Sequence, residues 1–167
     1  MPREEDSVEI GREDRKSTAT SSCARIGLNT FQLQTNIQEL VKKLEALNIT
    51  TFKESHIEYA LRSVVSGGNA DKAVELLQLF RDTIAGEIKP VDPTITMLGA
   101  VNREMVTCYI DSLLFAMFAR LDSFESILSV EWPDPATNTL AIIIRFWVNM
   151  LRTGRLITTD IVSFAAL

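Results

Sequence analysis

The residue best placed to do chemistry is Cys108. The run from Met105 to Phe118 starts polar and turns apolar just after it. Leu113, Leu114, Met117 and Leu121 recur at helical spacing, with Phe115 and Phe118 widening the stripe, which predicts a buried helix starting near Cys108. A thiol at a helix N-terminus lies at the positive end of the macrodipole, beside amides with no intrahelical acceptor. That position favours thiolate and lowers a pKa that is otherwise about 8.5. The same amides can receive the oxyanion of an attacked carbonyl. A lone cysteine opening an apolar helix is also, and more often, a small buried hydrophobe. Periodicity alone leaves both readings open.

A thiol hydrolase also needs a base and a group to orient it. His56 is the only histidine and precedes Cys108; at the start of a helix it reads as a surface or satisfied side chain, and no catalytic role is assigned to it. One histidine with two distant cysteines, Cys23 and Cys108, makes no metal-ligand set. The chain has neither a glycine-rich phosphate loop nor a Gly-x-Ser-x-Gly elbow. No metal or cofactor is expected.

Several helices must position these residues. Residues 1–24 are charged and Ser/Thr-rich with little to bury, and are expected to be a disordered leader. Ile26, Leu33, Ile37, Leu40, Leu44 and Leu47 mark one apolar stripe of a first helix, read as lying on its own domain rather than as a zipper. Ser55 with Glu58 has the form of a capping box for a second helix carrying Ile57, Ala60, Leu61, Val64 and Val65. Gly67-Gly68 stops it, and Asn69 can cap a third helix with Ala73, Val74, Leu76, Leu77 and Phe80 inward. Residues 25–87 thus form one helical module, and 88–98, with Pro90 and Pro93, read as a linker. Residues 99–167 hold the cysteine helix, a proline-bearing loop around Trp132, and a last helix. Asn138 is its expected cap, Leu140, Ile143, Ile144, Trp147, Val148 and Leu151 are expected inside, and Arg145 and Arg152 outside. A short extended piece follows from Leu156 to Val162.

The composition is that of an ordinary globular protein, with 46% hydrophobic and 23% charged residues. A net charge of −5 argues against a nucleic-acid surface. Runs such as Leu140 to Ile144 are too short to span a bilayer, so no membrane partner is expected. The two unpaired cysteines fit a reducing compartment, cytoplasmic or nuclear.

The string Thr107-Cys108-Tyr109-Ile110-Asp111-Ser112-Leu113-Leu114-Phe115 resembles the cysteine box of ubiquitin-specific proteases, and Asp111 with the following Ser-x-Leu-Phe makes it most similar to the cylindromatosis type. Gly99 and Asn102 are similar to the Gly-x-x-Asn that opens this box. The resemblance implies that Cys108 is a nucleophile attacking the carbonyl at the C-terminus of ubiquitin, with Asn102 as an oxyanion donor. Asn102 stands one residue further from the cysteine than is usual there. Asp111 is expected to serve packing or the cap. In that family the general base follows the cysteine, and no histidine follows Cys108 here.

A second stretch, Gly68-Asn69-Ala70-Asp71-Lys72-Ala73-Val74-Glu75-Leu76-Leu77, with Ile37-Gln38-Glu39-Leu40 and Ile57-Glu58-Tyr59-Ala60-Leu61-Arg62 before it, is similar to a ubiquitin-associated domain. That resemblance implies ubiquitin binding through Leu47, Ile49, Leu76 and Leu77, although Asn48 stands where glycine is usual. The expected fold is mainly α: a UBA-like three-helix bundle, then the helical cysteine-bearing subdomain of a papain-like deubiquitinase, truncated before its histidine. The expected function is a thiol-dependent deubiquitinase or a remnant of one, with little turnover from these residues alone. The expected partners are ubiquitin or ubiquitinated proteins. The alternative is a non-catalytic helical adaptor.

Overall fold

A computed structural model of the chain describes residues 27–101, 108–120 and 122–157. Those residues form six helices and no strand beyond one isolated bridge: α1 (Thr30–Ala46), α2 (Glu54–Arg62), α3 (Ala70–Ile84), α4 (Cys108–Phe118), α5 (Glu125–Leu128) and α6 (Pro135–Arg152). The mainly helical character is as the sequence predicts.

Local chemistry sets the helix ends. Asn29 Oδ1 accepts from Gln32 N at 2.8 Å and starts α1, and Asn69 Oδ1 accepts from Lys72 N at 3.1 Å to start α3, the cap expected there. Three helices end in the same way. At α1, Asn48 N donates to Glu45 O and Ile49 N to Leu44 O, both at 2.9 Å. Gly86 and Glu87 repeat the pattern after α3, and Gly154 and Arg155 after α6. These are Schellman motifs, which need a left-handed residue after the cap. Asn48 takes that conformation at φ 55°, where the other two ends use glycine. Asparagine is among the few residues with a side chain that tolerate it.

Two expected caps are corrected. α2 begins at Glu54 with Lys53 before it and no side-chain cap; Glu58 instead accepts from Arg62 Nε at 2.8 Å, one turn on. α6 begins at Pro135, not after Asn138. Asp134 accepts from Thr137 N at 2.8 Å, and Pro135 occupies the first turn, where its missing N–H costs nothing.

The core runs through α3. This helix packs on α1 and α2 on one side and on α6 on the other, so Leu79 and Thr83 are buried along with the expected Ala73, Val74, Leu76, Leu77 and Phe80. A single apolar cluster extends from Leu40 and Leu61 through Leu77 to Phe118, Phe146 and Leu151. The segment expected to be a linker lies against α6. Ile88 and Met97 pack on the core, and Lys89 N donates to Asn149 Oδ1 at 2.7 Å.

Arg145 and Arg152, expected outside, are 5% and 1% exposed, whereas Leu140, expected inside, is 54% exposed. With Asn149 they form an i, i+4, i+7 row, one face of a helix. That face meets the C-terminal ends of other helices, where carbonyls lack intrahelical donors. Arg145 donates to Thr83 O in α3 and Leu128 O in α5, and Arg152 donates to Phe118 O in α4. Asn149 Nδ2 donates to Thr83 Oγ1 and Glu87 O, both at 2.9 Å. Cations at helix C-termini also meet the negative end of the macrodipole.

Candidate functional site

Cys108 is the first described residue of α4; residues 102–107, which precede it, lie outside the described residues, Asn102 among them, as does Leu121. The chain approaches through Ala100, whose segment forms a parallel bridge with Ile157: Val101 N donates to Ile157 O at 2.8 Å and Ile157 N to Gly99 O at 3.0 Å. Gly99 has φ 85°, and a Cβ there would lie 3.5 Å from the Phe115 ring. Gly99 is thus held against the Phe115 ring of α4.

Among the described residues, α4 packs on the core along one side. Phe118 is buried, Leu114, Phe115 and Met117 pack on the core, and Phe115 meets Trp147 edge-on with centroids 5.3 Å apart. The opposite side, with Tyr109, Ile110 and Leu113, faces out, and Leu113 is 58% exposed. The helix expected to be buried is half-covered. Of the expected inward residues, Leu113 is the one that the structure turns outward, because α6 meets α4 through Phe115 and Phe118.

The residues expected to meet ubiquitin divide sharply. Leu47 is at the surface, 47% exposed. Ile49 is buried as the residue that closes the α1 Schellman motif on Leu44, and Leu76 and Leu77 have no exposed surface at all. All three belong to the core; Leu76 and Leu77 offer no surface to a partner, and Ile49 is reached only from a small surface depression. The surface nearby is formed by other side chains. An apolar cleft of about 370 Å³ lies between the start of α2 and the end of α3, lined by Thr51, Phe52, His56, Phe80 and Ile84. A shallower depression of about 170 Å³, between Val41, Ile49 and Ile57, shares Phe52 as its wall.

His56 sits in the wall of that cleft, its ring 6.0 Å from Phe52 and 5.9 Å from Phe80 by centroids. Burial beside these rings, and then the Lys53 charge, hold its pKa below the ordinary imidazole value. It is thus neutral at pH 7. The cleft was not apparent from periodicity, since Phe80 scores as a core residue of α3. Its signal was Ile84, one turn beyond Phe80 and apolar where the helix stripe should already have ended.

Among the described residues no group of three or more His, Cys, Asp or Glu side chains could hold a metal, and no helix is long and apolar enough to cross a membrane. Comparison of the chain with protein-family models, with curated proteins and with solved structures finds no match.

Proposed function

We propose that this chain bears the nucleophile of a thiol-dependent deubiquitinase, with Cys108 attacking the carbonyl that joins the ubiquitin C-terminus to its conjugate. What supports the reading is the Thr-Cys-Tyr-Ile-Asp-Ser-Leu string resembling the protease cysteine box, with its cysteine in the helix α4; in this reading Cys108 heads that helix. There the macrodipole favours thiolate, and first-turn amides suit an oxyanion. In this reading the helical region before residue 87 is UBA-like and the region from residue 99 belongs to a papain-like subdomain. The sole imidazole, His56, is committed to the α2–α3 cleft. In this reading these residues supply no imidazole base to Cys108, and their turnover is small.

Ubiquitin carrying a C-terminal electrophile tests this. The expected result is a slow covalent adduct at Cys108 that Cys108→Ala abolishes. Labelling of Cys108 no faster than that of the unfolded chain, or equal labelling of Cys23, overturns the assignment.

A second reading is a non-catalytic adaptor that binds ubiquitin through the helical region. The observation favouring it is the open cleft between Phe52, His56, Phe80 and Ile84. Titration of the whole chain with ubiquitin, followed by NMR, should shift amides around Phe52 and Ile84. Unmoved resonances there at millimolar ubiquitin would remove this reading without touching the first.

A further inference from the structure

A second cleft, of about 560 Å³, lies where the ends of α3 and α5 meet the flank of α6; Ile84, Ser129, Glu131, Trp132, Ile142 and Arg145 are among its walls. Its volume is in the range of small-molecule sites. The guanidinium of Arg145 bridges the two helix ends, with Nη1 donating to Thr83 O at 3.0 Å and Nε to Leu128 O at 3.0 Å, an oxygen that also accepts from Nη2. The cleft opens between the residues that follow those two carbonyls, Ile84 on one side and Ser129 on the other. Arg145 is part of its lining.

The charge there is unbalanced. Arg145 is 5% exposed, and among the described residues its partners are carbonyls, with no carboxylate paired to it. Arginine stays protonated in proteins, so the cost of burying the charge cannot be relieved by loss of a proton. Three of its five N–H groups are used, which leaves one hydrogen on each terminal nitrogen. A carboxylate can accept from such hydrogens. The remaining walls are mixed: Ser129, Glu131 and Asn138 are polar, while Ile84, Ile142 and Trp132 supply an apolar part, and Trp132 is 39% exposed, open to contact. Glu131 places one negative charge in the wall, which tells against a dianion such as phosphate.

We propose that this cleft binds a small monocarboxylate with a compact apolar body, its carboxylate on Arg145 and its body between Ile84 and Trp132. The site is independent of Cys108 and of the α2–α3 cleft.

The test uses the whole chain and phenylacetate as the probe, followed by the indole N–H resonance of Trp132. A saturable shift in the millimolar range is expected, as suits a ligand of about ten heavy atoms. The uncharged 2-phenylethanol should bind at least about tenfold more weakly, because a buried cation discriminates by charge. Inorganic phosphate at matched ionic strength should not compete. Glu131→Gln should tighten phenylacetate binding by about threefold or more, through removal of a like charge. Trp132→Ala, read by backbone amides of Ile84 and Ser129, should weaken it by a similar factor. Absence of saturation up to about 50 mM, well past a millimolar Kd, equal affinity for the alcohol, or indifference to Glu131→Gln would each overturn the proposal.

Discussion

Arg152 grips the carbonyl of Phe118, the last residue of the cysteine helix, with both Nε at 3.1 Å and Nη2 at 3.0 Å. The same guanidinium donates through Nη1 to Lys89 O at 2.8 Å and to the carboxylate of Glu125. One buried side chain thus ties α4, α5 and the segment after α3 to the end of α6. Replacing it with Ala strands these acceptors and leaves a cavity. Arg152→Ala should cost about 3–5 kcal/mol, the loss typical when one partner of a buried pair is removed. A fall in the urea midpoint at an unchanged slope measures it.

Leu77 and Leu47 differ in burial, and their variants should differ in consequence. Leu77 is fully buried, so Leu77→Ala should lose about 2–5 kcal/mol of stability. Leu47 is half-exposed and should tolerate Ala within about 0.5 kcal/mol. If ubiquitin binds near Leu47, its affinity falls in the second variant with folding intact. Chemical denaturation and ubiquitin titration on the same two proteins separate core from contact.

Asn48 occupies the left-handed position that closes α1. Glycine adopts that conformation without the Cβ penalty, so Asn48→Gly should leave stability unchanged or raise it by up to about 1 kcal/mol. A β-branched residue has no local hydrogen bond to offset the penalty, and Asn48→Val should cost about 1–2 kcal/mol. Thermal melts of the two variants should move in opposite directions from each other.

His56 makes stability depend on pH in a defined direction. Its folded pKa lies below the ordinary value of 6.5, chiefly because it is desolvated beside Phe52 and Phe80. As pH falls through 6.5, the unfolded chain takes up its proton first, so folding is progressively disfavoured until the folded pKa is passed. Above 6.5 the shift contributes nothing. As the chain has no other histidine, denaturation of wild type and His56→Gln between pH 7.5 and 5 isolates the effect, and the wild type should lose more. Equal pH slopes would contradict a desolvated imidazole.

The sequence was most legible where one apolar stripe faced one neighbour. Leu33, Leu40 and Leu44 on α1 and Asn69 at the head of α3 are where periodicity and capping put them. It was least legible on helices with two neighbours. α3 buries Leu79 and Thr83 because α6 covers its second side, and no pattern within residues 70–84 announces that partner. On α6 a polar face turns inward, because the carbonyls at three helix ends need donors more than Arg145 and Arg152 need water. The position of Arg145 inside Ile-Ile-Ile-Arg-Phe-Trp, and the seven-residue interval from Arg145 to Arg152 with Asn149 between, held that information. The rule that charge faces solvent overrode it. At the proposed catalytic centre, a helix through Leu114, Phe115 and Phe118 was readable from the switch to apolar residues. The α2–α3 cleft was not, since it depends on how far Phe80 and Ile84 project past α2.

Because α3 has one flank against α1 and α2 and the other against α6, the described residues on either side of residues 87–99 share one core. A protease nick or an exon boundary between residues 87 and 99 would not release two working halves. It would leave Leu79 and Phe80 wet on one fragment and Phe146 and Leu151 wet on the other. Whatever the front helices recognise and whatever the thiol of the later helix does are thus inherited, and lost, together.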